Sequence, residues 1–299
     1  MKRYLQSYCL RHHYDHARGF DVFAFLDRAA AGGYDGVSIN INGPGYRQLS
    51  GTSAAHQRAV RARLDELGLA CDLETSGTGE AHLDEILAVC AVLGARRLRT
   101  YMRHEGTVDE TIARTIIDLR AIAPACAAHG LDVLLENHED FTGAELATIL
   151  DAVGHPRVAA LYDYGNSMMV GEEPAVALDR ILPHARSAHL KDHACVAGPD
   201  GEPWVLGVPI GSGALPIADL TRRLAAAGCE VVVVSSVWAY RAPVRSWRGG
   251  AEAGTGSFRV EEPPFDPLLR PWEPMAPARL VELEDEALAL GEAWLRDNG

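Results

Sequence analysis

Three short stretches decide the fold: Leu131-Asp-Val-Leu-Leu-Glu-Asn-His-Glu-Asp140, Val158-Ala-Ala-Leu-Tyr-Asp-Tyr-Gly-Asn166 and Ser187-Ala-His-Leu-Lys-Asp-His193. Each begins with a short, mainly apolar run and ends in ionisable side chains. Runs of that length suit strands buried on both faces of a sheet. The stretches between them have helical length. Thr142 followed by Glu145 is a capping box that opens a helix reaching residue 153. Pro174 suits the first turn of a helix over 173–182. Strands that alternate with helices over short connections build right-handed βαβ units and a parallel sheet.

The same rhythm extends outward in both directions. Strands are predicted over 4–9, 35–41, 69–74 and 97–102, and again over 231–235. Helices are predicted over 21–31, 53–67, 81–93, 109–129 and 215–227, most of them closed by a glycine such as Gly68, Gly94 or Gly130. With a last helix over 281–296, the chain makes eight strand–helix units. We therefore expect an α/β protein with one domain over 1–299, a closed (β/α)8 TIM barrel. No glycine-rich phosphate fingerprint follows the first strand, which argues against an open dinucleotide-binding sheet. Two segments break the rhythm: a turn-rich insertion over 195–213 after strand seven, and an irregular lid or oligomer arm over 241–279 after strand eight. The second holds seven of the sixteen prolines. Segments this long inside a compact domain usually carry function or assembly.

Composition removes other classes. The chain has 299 residues and a net charge of −13, which argues against nucleic acid or an anionic membrane as partner. No apolar run reaches the ~18 residues of a membrane helix. Arg11, His12, His13 and Asp15 interrupt any export signal. The six cysteines form no C-x-x-C pair and read as reduced thiols. The expectation is a cytoplasmic homo-oligomer that works on a small molecule. The chain has two lysines, Lys2 and Lys191, against 26 arginines, so a compact, titratable ammonium at position 191 stands out.

Barrel active sites are built at the C-terminal ends of strands. There Glu136, Asp163 and His189 present two carboxylates and an imidazole at equivalent heights. Singly, each is most simply a surface carboxylate or a satisfied histidine. Together they suit one divalent metal ion: oxygen donors favour Mg2+ or Mn2+, and the imidazole shifts preference toward Mn2+, Co2+ or Zn2+. Trp204, Trp238, Trp247 and Trp272 fall in or beside the two irregular segments, with Tyr240, Phe258 and Phe265. Aromatic faces suit sugar rings, and Arg241, Arg245 and Arg248 suit a carboxylate or phosphate. Trp238, Arg241 and Arg245 are the substrate-binding candidates. A self-packed loop or an oligomer interface is the competing reading.

The runs Glu136-Asn137-His138, Asp163-Tyr164-Gly165-Asn166 and His189-Leu190-Lys191-Asp192 resemble the xylose isomerase-like sugar phosphate isomerase/epimerase superfamily. The resemblance covers most of the chain and is strongest over 131–240. It implies a TIM barrel with one divalent metal held by Glu136, Asp163 and His189. It places His138 and Lys191 against substrate, and Asp192 behind them, orienting a ligand or Lys191. The catalytic candidates are Glu136 or His138 as base, with Lys191. The superfamily's fourth ligand, a glutamate ending strand eight, is replaced here by Ser235. The function expected is an isomerase or epimerase that abstracts a proton next to the carbonyl of a sugar-like compound. A dehydratase acting on a keto-polyol of the inosose or dehydroshikimate type is the runner-up, because elimination needs one base fewer. A barrel without catalysis, serving as a ligand-binding or subunit protein, is the third reading. The superfamily's DNA-repair endonuclease branch fits poorly, since it binds a polyanion.

Overall fold

The computed structural model describes residues 1–199, 201–236, 238, 240–261 and 275–298. In chain order the elements are β1 (Lys2–Gln6), α1 (Arg11–His16), α2 (Val22–Ala31), β2 (Gly36–Asn40), α3 (Ala54–Leu67), β3 (Ala70–Glu74), α4 (Glu80–Leu93) and β4 (Arg97–Thr100). There follow α5 (Val108–His129), β5 (Asp132–Glu136), α6 (Gly143–Val153), β6 (Val158–Asp163), α7 (Pro174–Ile181) and β7 (Ala185–Leu190). The chain continues with β8 (Asp192–Ala197), β9 (Pro203–Val208), α8 (Ile217–Ala226), β10 (Val231–Val234), β11 (Arg241–Pro243), β12 (Val260–Glu261) and α9 (Pro277–Asn298).

Eight parallel strands close a barrel in the order β1-β10-β7-β6-β5-β4-β3-β2. β1 pairs with β2 on one side and with β10 on the other, which completes the ring. Local chemistry explains the boundaries. Thr107 with Glu110 and Thr142 with Glu145 form capping boxes at α5 and α6. Gly130 ends α5 at φ 66°, a left-handed conformation that favours glycine. The α5 helix runs through Pro124, so that proline does not end it.

Strand periodicity then sorts the side chains. Val133 and Leu135 join the large core shared with the helices, while Leu134, Ala159 and Leu161 form a separate cluster inside the barrel. Side chains two residues apart share a face. Glu136 therefore follows Leu134 inward, Asp163 follows Leu161, and Ser235 follows Val233.

The insertion after strand seven is not a turn-rich loop. β8 and β9 form an antiparallel hairpin, and with β11 and β12 they make a four-stranded sheet in the order β11-β9-β8-β12. Gly198, Pro199 and Gly201 belong to the turn, where the Gly201 N–H donates to the Gly198 carbonyl at 3.0 Å. The apolar Ala194, Val196, Leu206 and Val208 pack together around it. The irregular segment over 241–279 is described as far as residue 261, and its residues 262–274, with Phe265 and Trp272, lie outside the described residues. Its described part contributes β11 and β12 and lies against the loop after β6. The Arg245, Gly249 and Ala251 N–H groups donate to the carbonyls of Met169, Val170 and Gly171 at 2.8, 2.9 and 2.8 Å. α9 packs on α1, where buried Glu284 accepts the backbone N–H groups of His12 and His13 and lies 2.7 Å from His13 Nδ1. All six cysteines are buried and unpaired. Among the described residues, no helix is long and apolar enough to cross a membrane.

Candidate metal centre and substrate cavity

At the C-terminal mouth of the barrel, β5, β6 and β7 bring Glu136, Asp163 and His189 together. One ligand atom from each lies within 4.8 Å of the others. Asp163 is anchored first: its Oδ1 accepts the N–H groups of Gly165 and Asn166, both at 2.9 Å, which leaves Oδ2 facing the cluster. Asn137 ties the strands below by accepting the Asp163 N–H at 2.6 Å and donating to the Asp163 carbonyl at 3.0 Å. His189 Nδ1 lies 2.9 Å from Glu136 Oε1 and 3.5 Å from Asp163 Oδ2. Its Nε2 lies 3.0 Å from Glu74 Oε1 at the end of β3.

Glu74 is fully buried and accepts hydrogen bonds from Gln6 Nε2 and Ser38 Oγ, both at 2.6 Å. Arg99, from β4, spans the two glutamates, 3.1 Å from Glu74 Oε2 and 3.1 Å from Glu136 Oε2. Lys191 Nζ sits 2.8 Å from Asp163 Oδ2 and donates to Asn166 Oδ1 at 3.2 Å. Three carboxylates thus face two permanent cations and one imidazole. Burial would raise the carboxyls, but Arg99 and His189 hold Glu74 and Glu136 below their usual range, and Lys191 and His189 do the same for Asp163. Burial would lower His189, yet Glu74 and Glu136 outweigh it and lift the imidazole to about 10. Lys191 likewise stays charged, because Asp163 and Glu136 outweigh its burial.

This donor set fits a divalent ion. Glu136 Oε2 and Asp163 Oδ2 are buried and accept no well-aligned hydrogen bond; their neighbours Arg99 and Lys191 are ion-paired with them instead. A carboxylate behind one imidazole nitrogen fixes the tautomer and frees the other nitrogen for a metal, and Glu74 stands in that position behind His189. Ser235 occupies the end of strand eight, buried, and donates to Gln6 Oε1 at 2.6 Å.

A cavity of about 450 Å3 opens over the cluster. Glu136, His138, His189, Lys191 and Arg245 all line it, as do Ser235, Arg99 and Asn166. Asp163 lies behind them, fully buried. His138 stacks on Tyr101 with ring centroids 3.7 Å apart. His193, pushed down to about 3 by burial and by Lys191, is a neutral part of the wall beside Tyr240.

Three expectations need correction. Trp238 is not in the cavity wall; it is 1% exposed and packs against Leu283 and Ala287 of α9, so α9 draws it away from substrate. Arg241 is exposed in β11, outside the wall, because its backbone pairs with Leu206 of β9. Asp192 orients neither a ligand nor Lys191. Its carboxylate accepts the N–H groups of His193, Gly211, Gly213 and Leu215 and shapes the return from β9. The residues missed, Glu74 and Arg99, carry the signal that revealed Glu136: an ionisable side chain at the end of a short buried strand.

Residues 26–256 match the xylose isomerase-like TIM barrel family. The chain is 27% identical over 176 residues, 59% of its length, to the uncharacterized protein YihM of Escherichia coli. It is also 27% identical over 152 residues, 50% of its length, to the 3-oxo-isoapionate decarboxylase of Pectobacterium atrosepticum. Each match spans 54% of the relative's own length. The crystal structure of D-psicose 3-epimerase superposes with a TM-score of 0.65 at 14% identity, over 97% of this chain and all of that one, and shows likeness of fold. The cluster at the mouth, the closed barrel and the match over most of the chain agree: the protein belongs to the xylose isomerase-like TIM barrel family.

Proposed function

We propose that this protein is a metal-assisted lyase acting on a polyhydroxylated keto compound, working through an enediolate with one carboxylate base in place of the two that epimerisation uses. The observation that carries this reading is Ser235. Epimerisation by two bases needs a second carboxylate facing the first across the substrate. The strand-eight position instead holds a hydroxyl already bonded to Gln6. Among the described residues two carboxylates line the cavity, both ion-paired: Glu139 with Arg245, and Glu136 with Arg99 and His189. We assign the proton transfer to Glu136, which belongs to the charged cluster with Lys191.

A divalent ion held by Glu136, Asp163 and His189 would stabilise the oxyanion that develops at the substrate carbonyl. Lys191, kept as an ammonium by Asp163, adds positive charge at the same place and points a proton donor into the cavity. His138 stands beside Glu136 as a second proton carrier, its ring fixed by Tyr101. Asn40, Asn42 and Asn166 offer amides to substrate hydroxyls along the wall. In dehydration the proton next to the carbonyl is removed and the enediolate expels hydroxide, which takes up a proton to leave as water; in decarboxylation CO2 leaves and the enediolate takes up one proton. Neither requires carboxylates on both faces of the substrate. The decarboxylase among the relatives supports the lyase reading.

One-base isomerisation is the second reading, favoured by the same Glu136 facing the cavity; an epimerase shares the fold. Proton NMR in D2O with a panel of keto-sugars and keto acids, divalent metal present, separates the two. Loss of water or CO2 is expected. Deuterium entering a recovered isomer instead would replace lyase by isomerase. No turnover and no metal uptake would leave a ligand-binding barrel. We place the protein in the cytoplasm, a reading supported by its six unpaired thiols, and expect it to self-associate.

A further inference from the structure

We propose that the substrate carries an anionic group, a carboxylate or a phosphate, and that Arg103, just beyond β4, receives it. This rests on reading the cavity as the substrate site. The chain has a net charge of −13, yet five cations, Arg47, Arg99, Arg103, Lys191 and Arg245, line the cavity wall with Glu136 and Glu139.

Four of those cations are already paired. Arg99 spans Glu74 and Glu136, Lys191 meets Asp163, Arg245 meets Glu139, and Arg47 meets Asp15. Arg103 differs. Its one hydrogen bond among the described residues runs from Nη2 to the neutral Tyr101 Oη at 2.7 Å. The guanidinium also lies 4.8 Å from the centre of the Tyr101 ring, and Tyr101 is itself stacked on His138. The guanidinium is therefore held in place by groups that leave its charge uncompensated. Its remaining donors keep the fork geometry that matches a carboxylate or phosphate.

A lobe of about 230 Å3 opens off the wall here, bordered by Arg103, His104, His138 and Arg245. Glu139 and Asp140 also border it. The first is paired with Arg245, and the second lies 3.8 Å from His138 Nδ1. An anion seated beside Arg103 would leave the polyol part of the substrate over Glu136 and Lys191. The sequence had pointed to this chemistry on Arg241, Arg245 and Arg248. The structure assigns it to an arginine just beyond β4, since Arg245 and Arg248 are paired with Glu139 and Glu145.

Calorimetric titration of the full chain with D-gluconate, D-glucose 6-phosphate and the neutral D-glucitol tests the assignment. At least one anion should bind about ten-fold or more tighter than glucitol, the scale of one charge-assisted hydrogen bond. Whichever anion is preferred identifies the group as carboxylate or phosphate. Arg103→Gln should bring anion and glucitol within about two-fold, with glucitol affinity unchanged, and Arg103→Lys should restore part of the preference. Equal binding of all three ligands, a preference that survives Arg103→Gln, or no binding at all would overturn it. Turnover of a neutral keto-sugar alongside equal binding would remove the anion and leave the enzyme reading intact. Tight anion binding without enediolate chemistry would do the reverse.

Discussion

His189 carries two partners on opposite ring nitrogens, and their difference sets its role. Glu74, fully buried behind Nε2, reaches no cavity and serves to hold the ring. Nδ1 faces Glu136 and Asp163. His189→Ala should lower the divalent metal content of purified protein several-fold, measured by plasma mass spectrometry, because the proposed ion would lose one of its three protein ligands. Glu74→Gln should weaken metal affinity by roughly 10-fold or more, the usual cost of removing such a partner. If Glu74→Gln binds metal as tightly as the parent, the orienting role is wrong. Ser235 makes the opposite test. Ser235→Glu adds a carboxylate at the strand-eight position and breaks the bond to Gln6. It should tighten metal binding while slowing turnover, as an open position fills. Unchanged affinity and turnover would mean that position 235 does not reach the metal.

At the scale of elements, strand ends and helix ends do different jobs. The ends of β3, β4, β5, β6 and β7 supply the charged cluster. Helix ends are used to fasten the additions to the barrel. Glu284 of α9 is 2% exposed and takes two backbone N–H groups and the His13 ring of α1. Glu284→Ala leaves those donors unpaired in the interior. We expect it to cost about 2–3 kcal/mol in urea unfolding, more than a typical single hydrogen bond. A cost under about 0.5 kcal/mol would show that water replaces the carboxylate freely. α9 also buries Trp238, so the same variant should alter tryptophan emission while sparing the cavity residues.

For the molecule as a whole, acid–base behaviour has a readable contribution from Glu172. Its carboxylate is 3% exposed, accepts the Gly143 N–H at 2.8 Å at the start of α6, and is lifted by burial to about 7. In the unfolded chain a glutamate returns to its ordinary value near 4.5. Between those values the folded state holds a proton that the unfolded state has released, so this group makes stability fall as pH rises from about 4.5 to 7. The shift corresponds to on the order of 3 kcal/mol. Glu172→Gln keeps an acceptor for Gly143 and removes the titration. Its melting temperature should exceed the parent's above pH 7 and approach it below about pH 4. Equal melting temperatures at both would contradict the assignment.

The alternating barrel was legible along the chain because its information is local. Apolar runs, capping boxes and terminal glycines act within a few residues, and they marked all eight barrel strands to within a few positions. Glu136, Asp163 and His189 were legible for the same reason, each ending a strand of similar length. The hairpin was not. Its turn residues dominate 195–213, while its stability comes from pairing with β11, more than thirty residues on. Trp238, Arg241 and Asp192 were misplaced because aromatic and charged types announce a chemistry without a partner. α9, β9 and four backbone N–H groups claimed them. Glu74 and Arg99 carried the same strand-end signal as Glu136, so their place was legible; that they meet His189 and Glu136 was not, because those contacts run across the barrel. The Ser235–Gln6 hydrogen bond joins residues 229 positions apart. Such pairings exist only once the ring closes, since it is closure that brings the last strand beside the first and aims both inward.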